Sequence, residues 1–271
     1  MRQVALIDLG RKVPYLKVIE LMKSLVKNKI KQNSVSLITD NNQNCDSNQL
    51  LQVPDVLLLL EHQNIYTNGR RNKGKISQQE LDMMHKLGAT YFETERGGEI
   101  TYHGTGQLVI YPILDLKKFN LGVREYVNKL EDSVIDLVAK LGINAFRAPE
   151  FPGVWVSDTK KIAATGCHIQ RYISSHGIAI NVETDLNMFK AIVPCGLHGK
   201  TATSVLEQLT QNHSQIPSQS YSEISKIIQD HSLFDSIKKM YLDSFSKVFD
   251  TQIVSAETEF PHIDNLFKAN L

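Results

Sequence analysis

Cys195 stands in Val193-Pro194-Cys195-Gly196-Leu197-His198-Gly199-Lys200-Thr201, flanked by Pro and Gly where a buried cysteine would have core neighbours. Such a turn presents a thiol among glycine-freed amides, which can stabilise a thiolate and the oxyanion of a tetrahedral intermediate. An inert loop thiol fits the same residues. Lys160 and Lys161 enter a strand of small residues, Thr159-Lys160-Lys161-Ile162-Ala163-Ala164-Thr165-Gly166. A lysine drawn inward there loses hydration and becomes a base; a lysine at a sheet edge keeps its head in water. Arg96-Gly97-Gly98-Glu99-Ile100-Thr101-Tyr102-His103-Gly104-Thr105-Gly106-Gln107 holds four glycines that let backbone approach a ligand, or that only serve turns. In Ser174-Ser175-His176-Gly177-Ile178-Ala179-Ile180-Asn181, His176 interrupts an apolar strand and reads as a hydrogen-bonded structural histidine. Neither a GxGxxG nor a GxxxxGK[ST] spacing is present, so the usual nucleotide loops are absent.

The elements that would carry these residues are legible. Val4–Leu9 reads as a strand, and Pro14 precedes Leu16, Ile19, Met22, Val26 and Ile30 at helical spacing. Residues 1–31 hold eight Lys/Arg against Asp8 and Glu20, as a transit peptide would, but a patterned segment of this kind belongs to a fold. Residues 31–53 read as a polar loop insertion that contains Cys45, followed by a buried strand at Asp55–Glu61. Ser77 and Glu80 form a capping box, with Gly88 closing that helix. Thr90–Thr94 and Leu108–Leu114 read as strands. Leu121–Leu141 reads as a helix striped by Val123, Val127, Leu130, Val134, Leu137 and Leu141. Strands follow at Gly153–Val156, Lys161–Ile169 and Gly177–Val182, then a C-terminal helix with Phe234, Ile237, Tyr241, Phe245 and Val248 on one face. Strands and helices mix without a βαβ rhythm, which predicts an α+β (mixed α/β) sheet with packed helices in one domain over 1–271.

Composition narrows the function. Thirty Lys/Arg balance 29 Asp/Glu for a net charge of +1, unlike a dedicated nucleic-acid binder. The longest apolar run, Val56–Leu60, is five residues, so no membrane span is expected. Cys45, Cys167 and Cys195 lie far apart without a CxxC, which argues against a disulfide scaffold or structural zinc.

Taken in order, RGGEITYHGTGQLVIYPILDL, GVWV, KKIAATG, SSHGIAIN, PCG and TATSV resemble the lipoyl(octanoyl) transferases, within the superfamily of biotin protein ligase and lipoate–protein ligase catalytic domains. The resemblance covers roughly residues 4–250. It implies transfer of an octanoyl group from octanoyl-acyl carrier protein to a lysine of lipoyl domains, those of 2-oxo acid dehydrogenase complexes and of the glycine cleavage H protein, without cofactor or metal. Cys195 is then the nucleophile that forms a thioester acyl-enzyme, and Lys161, directly before the Ile-small-small-x-Gly stretch, is the general acid/base. The acyl pocket is expected from Arg96, Gly97, Gly98, Glu99, Ile100, Thr101, Tyr102 and His103, with Ala164, Thr165, Gly166, Gly177, Ile178 and Ala179. Thr105 departs from the family's Pro, and the 31–53 insertion is longer than usual. The rival functions are an ATP-dependent lipoate–protein ligase, a non-catalytic binder of acyl carrier or lipoyl domains, and a Cys–His hydrolase. A eukaryotic member would reside in the mitochondrion, a bacterial one in the cytoplasm.

Overall fold

The computed structural model describes residues 1–39, 52–192, 199–211, 226, 228, 230 and 232–263. A mixed nine-stranded sheet forms its centre, ordered β12-β1-β2-β6-β10-β9-β8-β7, with β11 paired to β9. These strands are β1 (Arg2–Asp8), β2 (Val56–Leu60), β6 (Gln107–Ile113), β7 (Phe146–Ala148), β8 (Phe151–Trp155), β9 (Lys160–Gln170), β10 (Ile173–Asn181), β11 (Thr201–Ala202) and β12 (Thr251–Ser255). A three-stranded sheet, β4 (Thr90–Glu93), β3 (Ile65–Asn68) and β5 (Thr101–His103), stands beside it. The predicted mixed sheet with packed helices is the fold observed.

Alternation along the central strands builds two cores. Val4, Leu57, Leu59, Leu108, Ile110, Ile178 and Ile180 face α3 (Val123–Ala139) and α5 (Leu233–Phe249). Tyr126, Leu130, Val134 and Leu137 from α3 meet Phe234, Ile237, Tyr241 and Phe245 from α5 there. On the other face, Ala5, Leu58, Val109, Tyr111 and Ala179 pack against Val18, Ile19, Met22, Leu25 and Val26 of α1 (Tyr15–Thr39). The small sheet shares that face. Its Tyr66 and Tyr102 pack with Met84 of α2 (Gln78–Lys86) and with Phe189. The capping box starts α2 as expected: Ser77 Oγ accepts from the Glu80 amide, and Glu80 Oε2 accepts from the Ser77 amide at 2.8 Å. The short helices α4 (Val205–Gln211) and α6 (Ala256–Glu259) complete the set.

Two expectations change and a third holds. Residues 31–39 are not loop, because α1 runs on to Thr39; residues 40–51 of the expected insertion, with Cys45, lie outside the described residues. The far side of that segment is tied back to α1, where the buried Lys29 ammonium pairs with Asp55 at 2.8 Å and Gln32 Oε1 accepts from the Val53 amide. Leu16 and Val123, placed on buried stripes, are 53% and 54% exposed, since each lies in the first turn of its helix, beyond the sheet. The basic first thirty-one residues are integral: β1 lies between β12 and β2, and α1 covers the sheet. No described helix is long and apolar enough to cross a membrane.

Candidate active site

Where β9 leaves β8, the register shifts between Val154 and Trp155, opposite Lys161–Ala163. Such a bulge re-aims the side chains beside it. Adjacent residues of a strand face opposite ways, and the two lysines divide accordingly. Lys160 turns towards α4, with Nζ 3.3 Å from Gln211 Oε1 and 3.8 Å from Glu207 Oε2. Lys161 turns into a cavity. Its Nζ donates to the Pro152 carbonyl at 3.0 Å and stands 4.6 Å from the centre of the Trp155 ring. Lys200 stands by the same ring, 4.8 Å from Trp155, and 3.6 Å from the ring of Phe151.

The cavity lies between β9–β10 and the loop 96–101. Arg96, Gly98, Glu99, Ile100, Thr101 and His103 line one side; Lys161, Ala164, Thr165, Gly166, Gly177, Ile178 and Ala179 line the other. Gly97 borders the adjoining space with Phe151 and Lys161, and its amide donates to the Cys167 carbonyl at 2.9 Å. Arg96 is 6% exposed and pinned to β3: Nη2 donates to the Thr67 carbonyl at 2.6 Å, and Nη1 donates to the Gly97 carbonyl at 3.0 Å. Its stem lies over Gly166, where a Cβ would sit 3.2 Å from Arg96 Cδ. Gly177 is small for another reason: a Cβ there would stand 2.3 Å from the Ile110 carbonyl oxygen of β6.

Tyr102 corrects the expected wall. Alternation along β5 sends it away from the cavity, where its ring packs on Tyr66 and Phe189 and its hydroxyl donates to Asn64 Oδ1 at 2.8 Å. The second half of the glycine-rich stretch is scaffold as well. Gln107 Nε2 donates to the Tyr102 carbonyl and to Asn181 Oδ1, so its Oε1 accepts from His103 Nδ1 at 2.7 Å. The Gly106 carbonyl accepts the amides of Val182 and Glu183. Thr105, in place of the family's Pro, is exposed and leaves this network intact.

Tyr111, Pro152 and His176 also line the cavity, though sequence reasoning assigned them no part in it. His62 Nδ1–H donates to the Val13 carbonyl oxygen at 3.2 Å, so Nε2 accepts from the Tyr111 hydroxyl at 3.0 Å. Burial keeps these imidazoles neutral: His62 is pushed down to about 4, His176 to about 3, and His103 well below the usual range. His176 has a left-handed backbone, φ 55°, which costs a side-chain-bearing residue on the order of 1–2 kcal/mol.

Cys195, the sequence-based nucleophile, lies outside the described residues. Cys167 is in β9, and burial pushes its thiol up to about 12, which keeps it protonated and unreactive.

A Drosophila melanogaster relative, provisionally named a mitochondrial lipoyltransferase 2, is 40% identical over 76% of this chain and 81% of its own. The zebrafish (Danio rerio) mitochondrial octanoyl-acyl-carrier-protein:protein N-octanoyltransferase is 48% identical over 59% of this chain and 70% of its own. An octanoyltransferase of Solibacter usitatus is 49% identical over 53% of this chain, which spans 64% of that relative. Among solved structures, lipoate-protein ligase A bound with ATP superposes with a TM-score of 0.55 over 99% of this chain and 95% of its own, at 16% identity, a likeness of fold alone. The family model for the lipoyl protein ligase A/B catalytic domain matches residues 41–223, and the chain belongs to that family.

Proposed function

We propose that this chain transfers an octanoyl group from octanoyl-acyl carrier protein to a lysine of an acceptor protein, with Cys195 as the nucleophile. The observation that carries this reading is the placement of Lys161: it enters the cavity bounded by Gly166 and Ala179, while its neighbour Lys160 turns to α4. Relatives at 40–49% identity named lipoyltransferase or octanoyltransferase support it.

In the first step the Cys195 thiolate attacks the thioester carbonyl. The carbonyl oxygen takes the negative charge, then collapses, and the bond to the carrier sulfur breaks. The carrier thiolate leaves and accepts a proton. In the second step the acceptor amine attacks the acyl-enzyme, an amide bond forms, and the Cys195 sulfur departs. Lys161 serves as general acid/base for these protons. The donor is already an activated thioester, so the sequence needs no nucleotide.

The acceptors are lipoyl domains, and the site of action in a eukaryotic cell is the mitochondrion, as for the fly and zebrafish relatives by name. The test is reconstituted transfer from octanoyl-acyl carrier protein to a lipoyl domain with ATP and magnesium omitted. Transfer under those conditions is expected. Transfer from free octanoate that strictly requires ATP would assign the chain to the ligases instead.

A further inference from the structure

His176 breaks the alternation of its strand. Along β10, Ile178 and Ile180 face α3 and α5, and Ala179 faces α1. By parity His176 belongs with Ile178. Its left-handed backbone, φ 55°, turns it the other way. The ring stands edge-on to Tyr111 at 5.7 Å between centroids, and the amide meets Met22 Sδ of α1 at 3.2 Å. The reversal sets the imidazole between two spaces. One is the Lys161 cavity. The other is a cleft between α1 and the β4–β9 edges, bounded by Ile19, Met22, Lys23, Val26 and Phe92. His176 borders both and is 6% exposed.

We propose that His176 is the end wall of the acyl cavity and sets the length of acyl chain the protein accepts. The proposal rests on the acyl-transfer reading above. Strand register places His176 opposite Cys167, six residues along β9 from Lys161, which is at most about 20 Å of strand at roughly 3.3 Å per residue. The side chains at both ends shorten that run, which limits the length of chain that can lie between them. A longer chain meets the imidazole. Behind the ring, the cleft offers the apolar side chains of Ile19, Met22, Val26 and Phe92, a surface suited to further methylenes. Removing the ring joins the two spaces.

The test compares loading of octanoyl and dodecanoyl groups from acyl carrier protein onto the wild type, His176→Gly and His176→Asn, read by intact mass. Gly and Asn both tolerate a left-handed backbone, so each keeps the strand while shortening the wall. Dodecanoyl loading should rise about tenfold or more in His176→Gly, equivalent to ~1.4 kcal/mol, with His176→Asn in between. Adding Lys23→Trp, at the rim of the cleft, to His176→Gly should remove most of that gain. Dodecanoyl loading no better than wild type in a variant that still loads octanoyl overturns the proposal. A gain untouched by Lys23→Trp overturns the route through the α1 cleft. Wild type that loads no octanoyl at all defeats the acyl-transfer reading itself, and the proposal with it.

Discussion

Lys161 crosses directly over the backbone of Gly153: a Cβ built at Gly153 would lie 3.1 and 3.2 Å from Lys161 Cδ and Cε, and 2.6 Å from the Ala163 carbonyl oxygen. Gly153 holds φ 125°, and its amide donates to the buried Glu131 carboxylate at 2.7 Å. Burial raises the pKa of that carboxyl above its usual range. The bare backbone at Gly153 therefore fixes the path of the lysine into the cavity. Gly153→Ala should cost about 1–3 kcal/mol through strain and displace Lys161, so transfer falls further than stability alone explains. Gly10→Ala is the comparison, since Gly10 also has positive φ but open space around it. Denaturant unfolding and transfer rates on both variants check this; equal effects on transfer would count against the packing argument.

The two lysines should separate cleanly. Lys161→Ala is expected to lower transfer by on the order of 10²–10⁴, the range for losing a general acid/base. It should also move thiol alkylation at Cys195 to higher pH, because a nearby ammonium favours the thiolate. Lys160→Ala, which loses only surface contacts to Gln211 and Glu207, should do neither. Steady-state rates and alkylation at several pH values give the answer, and matching behaviour of the two variants would refute the assignment.

Gly166→Val should close the cavity. A Cβ there already approaches Arg96 Cδ and the Gly97 carbonyl oxygen to 3.2 Å, and Arg96 is held by Thr67. Octanoyl loading should be lost while a small reagent still alkylates Cys195. Loss of both reactions would mean that the fold, and not the wall, was disturbed.

Stability should fall in mild acid. His62, His103 and His176 all have folded pKa values depressed by burial below the unfolded value near 6.5. Above that value neither state carries the protons and nothing is lost. As pH falls from about 6.5 towards 4, the unfolded chain takes up protons that the folded one refuses. Each such histidine then removes about 1.4 kcal/mol per pH unit until its folded pKa is reached. Urea unfolding at pH 7.5, 6 and 5 should show this decline, and a flat profile would contradict the buried neutral imidazoles.

Much of this was legible in the sequence because it is local. The Ser77–Glu80 box, the α3 and α5 stripes and the strand around Lys161 follow from short spacings that the chain reads by itself. The choice of Lys161 over Lys160 comes from the family resemblance, since the residues alone leave both open; in the fold the two point opposite ways, Lys160 to Gln211 and Lys161 to the Pro152 carbonyl. What escaped depends on distant partners. The pairing of β12 with β1 joins residues about 250 apart, and no local signal marks Thr251–Ser255 as a strand edge for Arg2–Leu6. Tyr102 sits among cavity residues in sequence yet faces Tyr66, because β5 alternates. His176 escaped for the opposite reason, since its left-handed backbone breaks the alternation that parity would impose. The polar tract after residue 31 hid the continuation of a helix that Lys29 ties to Asp55 and the Val53 carbonyl.

The central claim is an acyl-enzyme on one cysteine, and intact mass spectrometry tests it most directly. Burial holds the Cys167 thiol at about 12, so that residue is a poor nucleophile. Mixed with octanoyl-acyl carrier protein and no acceptor, the protein should gain one octanoyl group. Hydroxylamine should remove it, Cys195→Ala should prevent it, and Cys45→Ser and Cys167→Ser should still load. Adding a lipoyl domain without ATP should discharge the group onto a lysine. Full transfer activity in Cys195→Ala, or an octanoyl group found on Cys167, would contradict the account.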